Sequence, residues 1–324
     1  MSLRMNRKHL LIIAKILVST ALITWILRRA DTETIWQTVQ SANPVLLGFA
    51  FFMFYVGYVF TAFRWHLLLK AQNIPATVPF LMVSFTISVF FNNLMPSTIG
   101  GDAYRMYDVW RLGGDKSKAF SIILIDRFIG AFALISYAFV AALVAVEIQN
   151  SIPGIALYLA MMLLFMLGIM WMVFGSGGVW LERFFGIQNR WLSWPQRFLK
   201  KLVDGFILFR DRGDVLLKAV GLSFLLQLNV ILHFILVTRA LGLDVPWGAM
   251  FIIIPLAALV MLIPVSINGI GVRETVFVFF FALYGVSTEE AVAFAWVALA
   301  MLLMQGVVGG LVFMFRRSSP QKPS

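Results

Sequence analysis

The chain has no cysteine at all, which excludes disulfides, thiolate metal sites and thiol nucleophiles and leaves the redox compartment open. Its three histidines are scattered, so no zinc cluster can be assembled from them. No Walker A loop, H-E-x-x-H, G-x-S-x-G or metal-nucleotide D-x-D occurs. Those gaps leave a nucleotide-driven pump or a self-contained glycosyltransferase hard to build, and no metal or cofactor is expected. Charge is scarce as well, at 13% of residues, about half the roughly 25% of an ordinary soluble domain. What fills the space is apolar. Of 324 residues 61% are hydrophobic, the composition of an integral membrane protein. A net charge of +11 would suggest nucleic acid in a soluble protein. Here the Lys and Arg flank apolar runs, as membrane topology requires, so no nucleic-acid partner is expected.

Two stretches break the apolar pattern. Residues 91–105 read F-N-N-L-M-P-S-T-I-G-G-D-A-Y-R, and 262–273 read L-I-P-V-S-I-N-G-I-G-V-R. The second aligns without gaps on 94–105, with Leu94/Leu262, Pro96/Pro264, Ile99/Ile267, Gly101/Gly269 and Arg105/Arg273 identical. Leu and Ile matches mean little in this composition, so the weight rests on Pro, Gly and Arg at equal spacing. A lipid-exposed helix cannot carry such polar groups, because unsatisfied backbone in hydrocarbon costs several kcal/mol each; broken backbone survives there only inside protein or around water. Paired Gly/Pro-interrupted segments in two halves point to a transporter binding site.

Taken in order, 10–27 is an apolar run behind a basic start, read as an uncleaved first helix rather than a signal peptide. Residues 31–43 are polar, and Asn43-Pro44 marks the start of a span over 44–63, closed by Arg64, His66 and Lys70. The run 78–95 enters the first motif, 105–118 is polar again, and 119–146 and 153–174 are spans. In the connection 175–214, Trp191, Trp194, Phe198, Leu199, Leu202, Phe206 and Phe209 recur at helical spacing with basic residues between, as in a helix lying in the headgroup plane. Spans at 215–241 and 289–315 flank the second motif.

With the N-terminus inside, six full spans and two hairpins place both termini in the cytoplasm. Nineteen of the 26 Lys and Arg then fall on the cytoplasmic side, Arg64 and Arg105 among them. In that arrangement the first hairpin opens inward and the second outward. The expected fold is therefore an all-α polytopic membrane protein with an inverted-topology repeat, about 44–147 and 215–315, forming a single transmembrane domain.

Arg105 and Arg273 are the leading candidates for ligand contact. A guanidinium keeps its charge and its planar fork holds phosphate or carboxylate at two points. The bland alternative is that each caps its hairpin or pairs with Asp102 or Glu274; the matched positions favour function for the pair. Gly100, Gly101, Gly269 and Gly271 allow tight turns, and Pro96 and Pro264 end each first arm. Asn92, Asn93 and Asn268, with Ser97, Thr98 and Ser266, can satisfy freed backbone or line a polar path. Asp126-Arg127 reads as a buried network with Arg105 or Asp102 ahead of a proton or ion relay. Asn229 and His233 share a helix face and read as interhelical hydrogen bonds.

On 91–105, the Asp126-Arg127 segment and P-V-S-I-N-G-I-G-V-R-E at 264–274, the chain resembles the transmembrane domain of the lysylphosphatidylglycerol synthase/flippase family. The resemblance covers nearly the whole chain. It implies a domain that moves lipids, such as aminoacylated phosphatidylglycerol, between leaflets of the cell (inner) membrane, with a separate lipid-modifying enzyme as partner. Aminoacyl transfer itself is not expected of a chain with only a short basic tail after the last span. The other reading is a membrane-embedded transferase, or its accessory subunit, acting on polyprenyl-linked sugars, with Asp102, Asp126 or Glu274 as general base. An ion or small-solute channel is the weaker third.

Overall fold

The computed structural model describes residues 17, 19–28, 30–95, 99–113, 115–174, 203, 205–262, 265–266 and 268–316. Pro96, Ser97, Thr98 and Pro264, and most of the connection 175–214, lie outside the described residues. What is described is helical with no strand, as an all-α polytopic protein requires.

A helix over 19–27 (α1) leads to α2 (Thr32–Gln40), α3 (Pro44–Ala71), α4 (Val78–Leu94), α5 (Ile99–Arg111), α6 (Lys116–Ala142), α7 (Val146–Ser151) and α8 (Ile155–Phe174). After the connection come α9 (Gly213–Ala240), α10 (Trp247–Met261), α11 (Val272–Ala282) and α12 (Thr288–Phe315). Starts follow local chemistry. The Asn43 side chain accepts from the N–H groups of Val45 and Leu46 with Pro44 in the first turn, and Ser287 forms a capping box with Glu290. α3, α6, α9 and α12 are long and apolar enough to cross a membrane. At 28 residues, α3, α9 and α12 each reach about 42 Å, beyond the roughly 30 Å hydrocarbon core.

The segments around the two motifs fold back on themselves. α4 packs on α5, and α10 on α11. Their arms hold 17 and 13 residues, then 15 and 11, all below the ~20 that a full crossing needs. The length series of α3 to α6 (28, 17, 13, 27) recurs in α9 to α12 (28, 15, 11, 28). Pairing follows the same exchange. α3 and α9 run antiparallel at the centre, held by Asn229 Nδ2 donating to Met53 O (3.0 Å) and the His233 Nδ1 contact with Ala50 O (2.8 Å). The expected interhelical bonds are thus present. α4 packs on α12, and α10 on α6, so each first arm lies against the closing helix of the other half. At the first of these contacts Gly306, Gly309 and Gly310 face Asn93, the Thr86 carbonyl and Phe90, leaving no room for a Cβ at Gly306 or Gly309.

Four expectations change. The polar stretch 31–43 contains a helix, α2, capped by Asp31. α3 does not close at Arg64 but continues to Ala71, because Trp65, Leu68 and Leu69 pack into a second apolar cluster; Arg64 is therefore interior, 6% exposed. The polar stretch 105–118 is helical up to Arg111, and Arg105 is buried rather than a surface charge. Phe206 and Phe209 are buried in that second cluster against α6, not directed at headgroups.

Candidate functional site

The site forms where α3, α5 and α6 meet. Asp126 is 2% exposed, and Arg127 beside it is the only other charged residue in the interior of that helix. One oxygen accepts from Arg64 Nε at 2.7 Å and the other from Arg105 Nη2 at 3.0 Å. Arg64 also donates to Ser223 Oγ (2.7 Å), whose hydroxyl donates in turn to Ala219 O. The Arg105 guanidinium lies 4.3 Å from the centre of the Trp65 ring and 5.7 Å from that of Phe85. A desolvated cation on an indole face gains about 2 kcal/mol. Asp102, one turn before Arg105, sits 3.7 Å from Arg105 Nη1 and accepts from Arg127 Nε. Three guanidinium groups and two carboxylates make a cluster with one positive charge in excess.

The hairpin holds Arg105 in place through its own backbone. Asn92 Oδ1 accepts the N–H of Gly101 at 2.8 Å, tying the second arm to the first. A Cβ on Gly101 would stand 2.7 Å from the Asn92 amide, so close approach, not a turn, demands glycine there. A cavity of about 700 Å³ opens beside the cluster. Its wall includes Arg64, Asp102, Arg105, Asp126 and Arg127; its remaining lining is largely apolar. Phe165 of α8 and Leu262 just past α10 also line it, and both are exposed, at 67% and 53%. The cavity thus joins a charged wall to an apolar lining that is exposed at Phe165 and Leu262.

The second hairpin is built differently. Asn268, Gly269 and Gly271 all adopt positive φ (51°, 74° and 84°). Glu274 does not pair with Arg273; its Oε2 accepts the Gly271 N–H at 2.7 Å and so caps α11. A Cβ at Gly271 would stand 2.7 Å from Leu22 of α1. Arg273 is buried, donates through Nη2 to Asn268 O at 3.1 Å, and among the described residues its Nη1 and Glu274 Oε1 have no hydrogen-bond partner. The hairpins touch through Asn268 Nδ2, which donates to Asn93 O at 3.0 Å, while Asn93 Nδ2 donates to Leu302 O.

Of the residues singled out from the sequence, Asn92, Asp102, Arg105, Asp126 and Arg127 line one cavity. Asn93 and Asn268 join the hairpins, and Arg273 and Glu274 stand at the second hairpin outside that lining. Sequence reasoning missed Arg64, Trp65 and Ser223. The signal for Arg64 was the apolar run continuing past it through Leu67, Leu68 and Leu69. It also missed the clamp of Arg316 Nη1 on buried Asp108 (2.7 Å) and Tyr104, which fixes the end of α12 to α5.

The model of the lysylphosphatidylglycerol synthase TM region matches residues 12–309. The chain belongs to that family. A UPF0104 membrane protein of Pyrococcus horikoshii is 24% identical over 333 residues, covering 96% of this chain and 98% of the relative. Two UPF0104 membrane proteins of Methanothermobacter thermautotrophicus are 23% identical over 287 residues (80% of each chain) and 21% over 306 (89% of each). Family and apolar helices together make this a multi-pass membrane protein.

Proposed function

We propose that the protein is a lipid translocase that moves an anionic or aminoacylated phospholipid, or a lipid-linked headgroup, between leaflets. The observation that carries this reading is the cavity: a charged wall at Arg105 and Arg127 suits a phosphate, and the exposed apolar lining at Phe165 and Leu262 suits acyl chains that stay in the bilayer. The chain is read as one transmembrane domain with an inverted repeat, set in the cell membrane with both termini in the cytoplasm. In that orientation the Arg105 cavity lies in the inner half, and Arg273 stands at the hairpin that enters from outside. A lipid would pass from one arginine to the other across the Asn93–Asn268 contact.

A transferase acting on polyprenyl-linked sugars has less support. Asp102 and Asp126 are engaged by arginines, and Glu274, whose Oε2 caps a helix and whose Oε1 has no partner among the described residues, stands outside the cavity lining, so no carboxylate on that wall is free to act as a base. The test is reconstitution into liposomes with fluorescent phospholipid, aminoacyl-lipid and polyprenyl-phosphate probes, followed by a leaflet-specific quench. Faster loss of the protected pool for one headgroup class, abolished in Arg273→Met, is the expected result. Folded protein that accelerates none of the probes would sink the translocase reading.

A further inference from the structure

The cavity beside Arg105 has a charge balance that discriminates between headgroups. Among the described residues its only ionised groups are Arg64, Arg105, Arg127, Asp102 and Asp126, three positive against two negative. Both oxygens of Asp126 are taken by arginines, and Asp102 lies between Arg105 and Arg127. The neutral groups on the wall cannot offset that excess. Asn92 Oδ1 already accepts from Gly101, and the hydroxyls of Thr61 and Ser88 and the Gln227 amide can offer an incoming group only uncharged oxygens. An ammonium entering here would find no carboxylate unopposed by a guanidinium and would be repelled by the excess charge. A phosphate diester would be attracted by it, in a site where burial weakens screening.

We infer that the cavity selects a headgroup carrying a net negative charge, a phosphate diester without an added ammonium, and rejects its aminoacylated derivative. This rests on the lipid-translocase reading for its biological meaning, but it makes a binding statement that stands or falls alone. Arg127 is the residue that sets the balance, because it is the one guanidinium of the three with a substantially exposed side chain, at 41%. Removing its charge brings the cluster to neutrality, and replacing it with an acid makes the cluster negative.

The experiment is displacement of a fluorescent phosphatidylglycerol from the detergent-solubilised full chain by phosphatidylglycerol, phosphatidylcholine, lysyl-phosphatidylglycerol and soluble glycerol phosphate. Wild type should prefer phosphatidylglycerol over its lysyl ester by about tenfold or more, with the zwitterion between them. Arg127→Gln should shrink that ratio and Arg127→Glu should invert it, each checked for a monodisperse folded state. Equal or tighter binding of the lysyl ester by wild type, or an unchanged order in both folded variants, overturns the inference. Displacement by glycerol phosphate as strong as by the lipid would make a free phosphate ester the ligand and overturn the lipid assignment. Leaflet exchange is scored separately. Selective binding without exchange defeats the translocase reading alone, and exchange accompanied by binding that is blind to headgroup charge defeats this inference alone.

Discussion

Arg105 and Arg273 close the same twelve-residue pattern, yet their surroundings differ in kind. Arg105 lies against Asp126, near Asp102 and on the face of Trp65. Arg273 has no carboxylate within ion-pair distance among the described residues and spends one N–H on a neighbouring carbonyl. The source of the difference is plain in the two halves. Asp102 has Ile270 at its matched position, and α12 carries its only acids, Glu289 and Glu290, in the first turn, where α6 has Asp126 in its interior. Equal motifs therefore produce one arginine locked in a network and one whose charge is met only from beyond ion-pair distance, by Glu274. The first is costly to disturb and the second is costly to leave empty.

The comparison breaks most sharply at Asp126. Asp126→Asn leaves Arg64 and Arg105 buried against a neutral group, and a loss of about 3–5 kcal/mol is expected. Thermal denaturation in detergent, followed by size-exclusion chromatography, should show a protein that barely survives extraction. A matched pair of substitutions comes next. Arg105→Met orphans half of Asp126 and should cost several times more stability than Arg273→Met, which orphans no carboxylate; equal melting shifts for the two would contradict the asymmetry. Gly101→Ala pushes a methyl against the Ser88 carbonyl and the Asn92 side chain and should cost about 1–3 kcal/mol by overpacking, with Asn92→Ala recovering only the side-chain share. The smallest effect belongs to the link between the hairpins. Asn268→Gly keeps the positive φ but removes the bond to Asn93, for a loss of about 1 kcal/mol, read as a small downward shift in melting temperature.

Much of this architecture was legible in the residues. The apolar runs announced the spans, Pro and Gly announced where the backbone breaks, and Asn43-Pro44 announced a helix start that the structure places at Pro44. The neutralising role of Asp126 was visible because a lone acid in an apolar run needs a partner. One of its partners, Arg105, could be named from the sequence; the other could not. Arg64 lies 62 residues away on another helix, and its position near the end of an apolar run imitated a topological charge. The same ambiguity hid the burial of Phe206 and Phe209, since an apolar helix stripe looks alike whether it meets lipid or protein. Hydropathy reports that a side chain avoids water; it does not report what replaces the water. The difference between Arg105 and Arg273 was likewise beyond a motif comparison, because it depends on an aspartate outside both motifs.

The crossing of α4 onto α12 bears on how the chain is made. Asn93 satisfies its side-chain amide on Leu302 O, and Gly306 is shaped around it, yet 209 residues of chain separate donor and acceptor. During synthesis the first hairpin leaves the ribosome long before its glycine-lined cradle exists. Until α12 follows, that amide must be sheltered by water, by another protein or by a hairpin held away from the hydrocarbon. The two halves are consequently not separate insertion units, and a ribosome stopped after the first would leave a polar surface waiting inside the membrane.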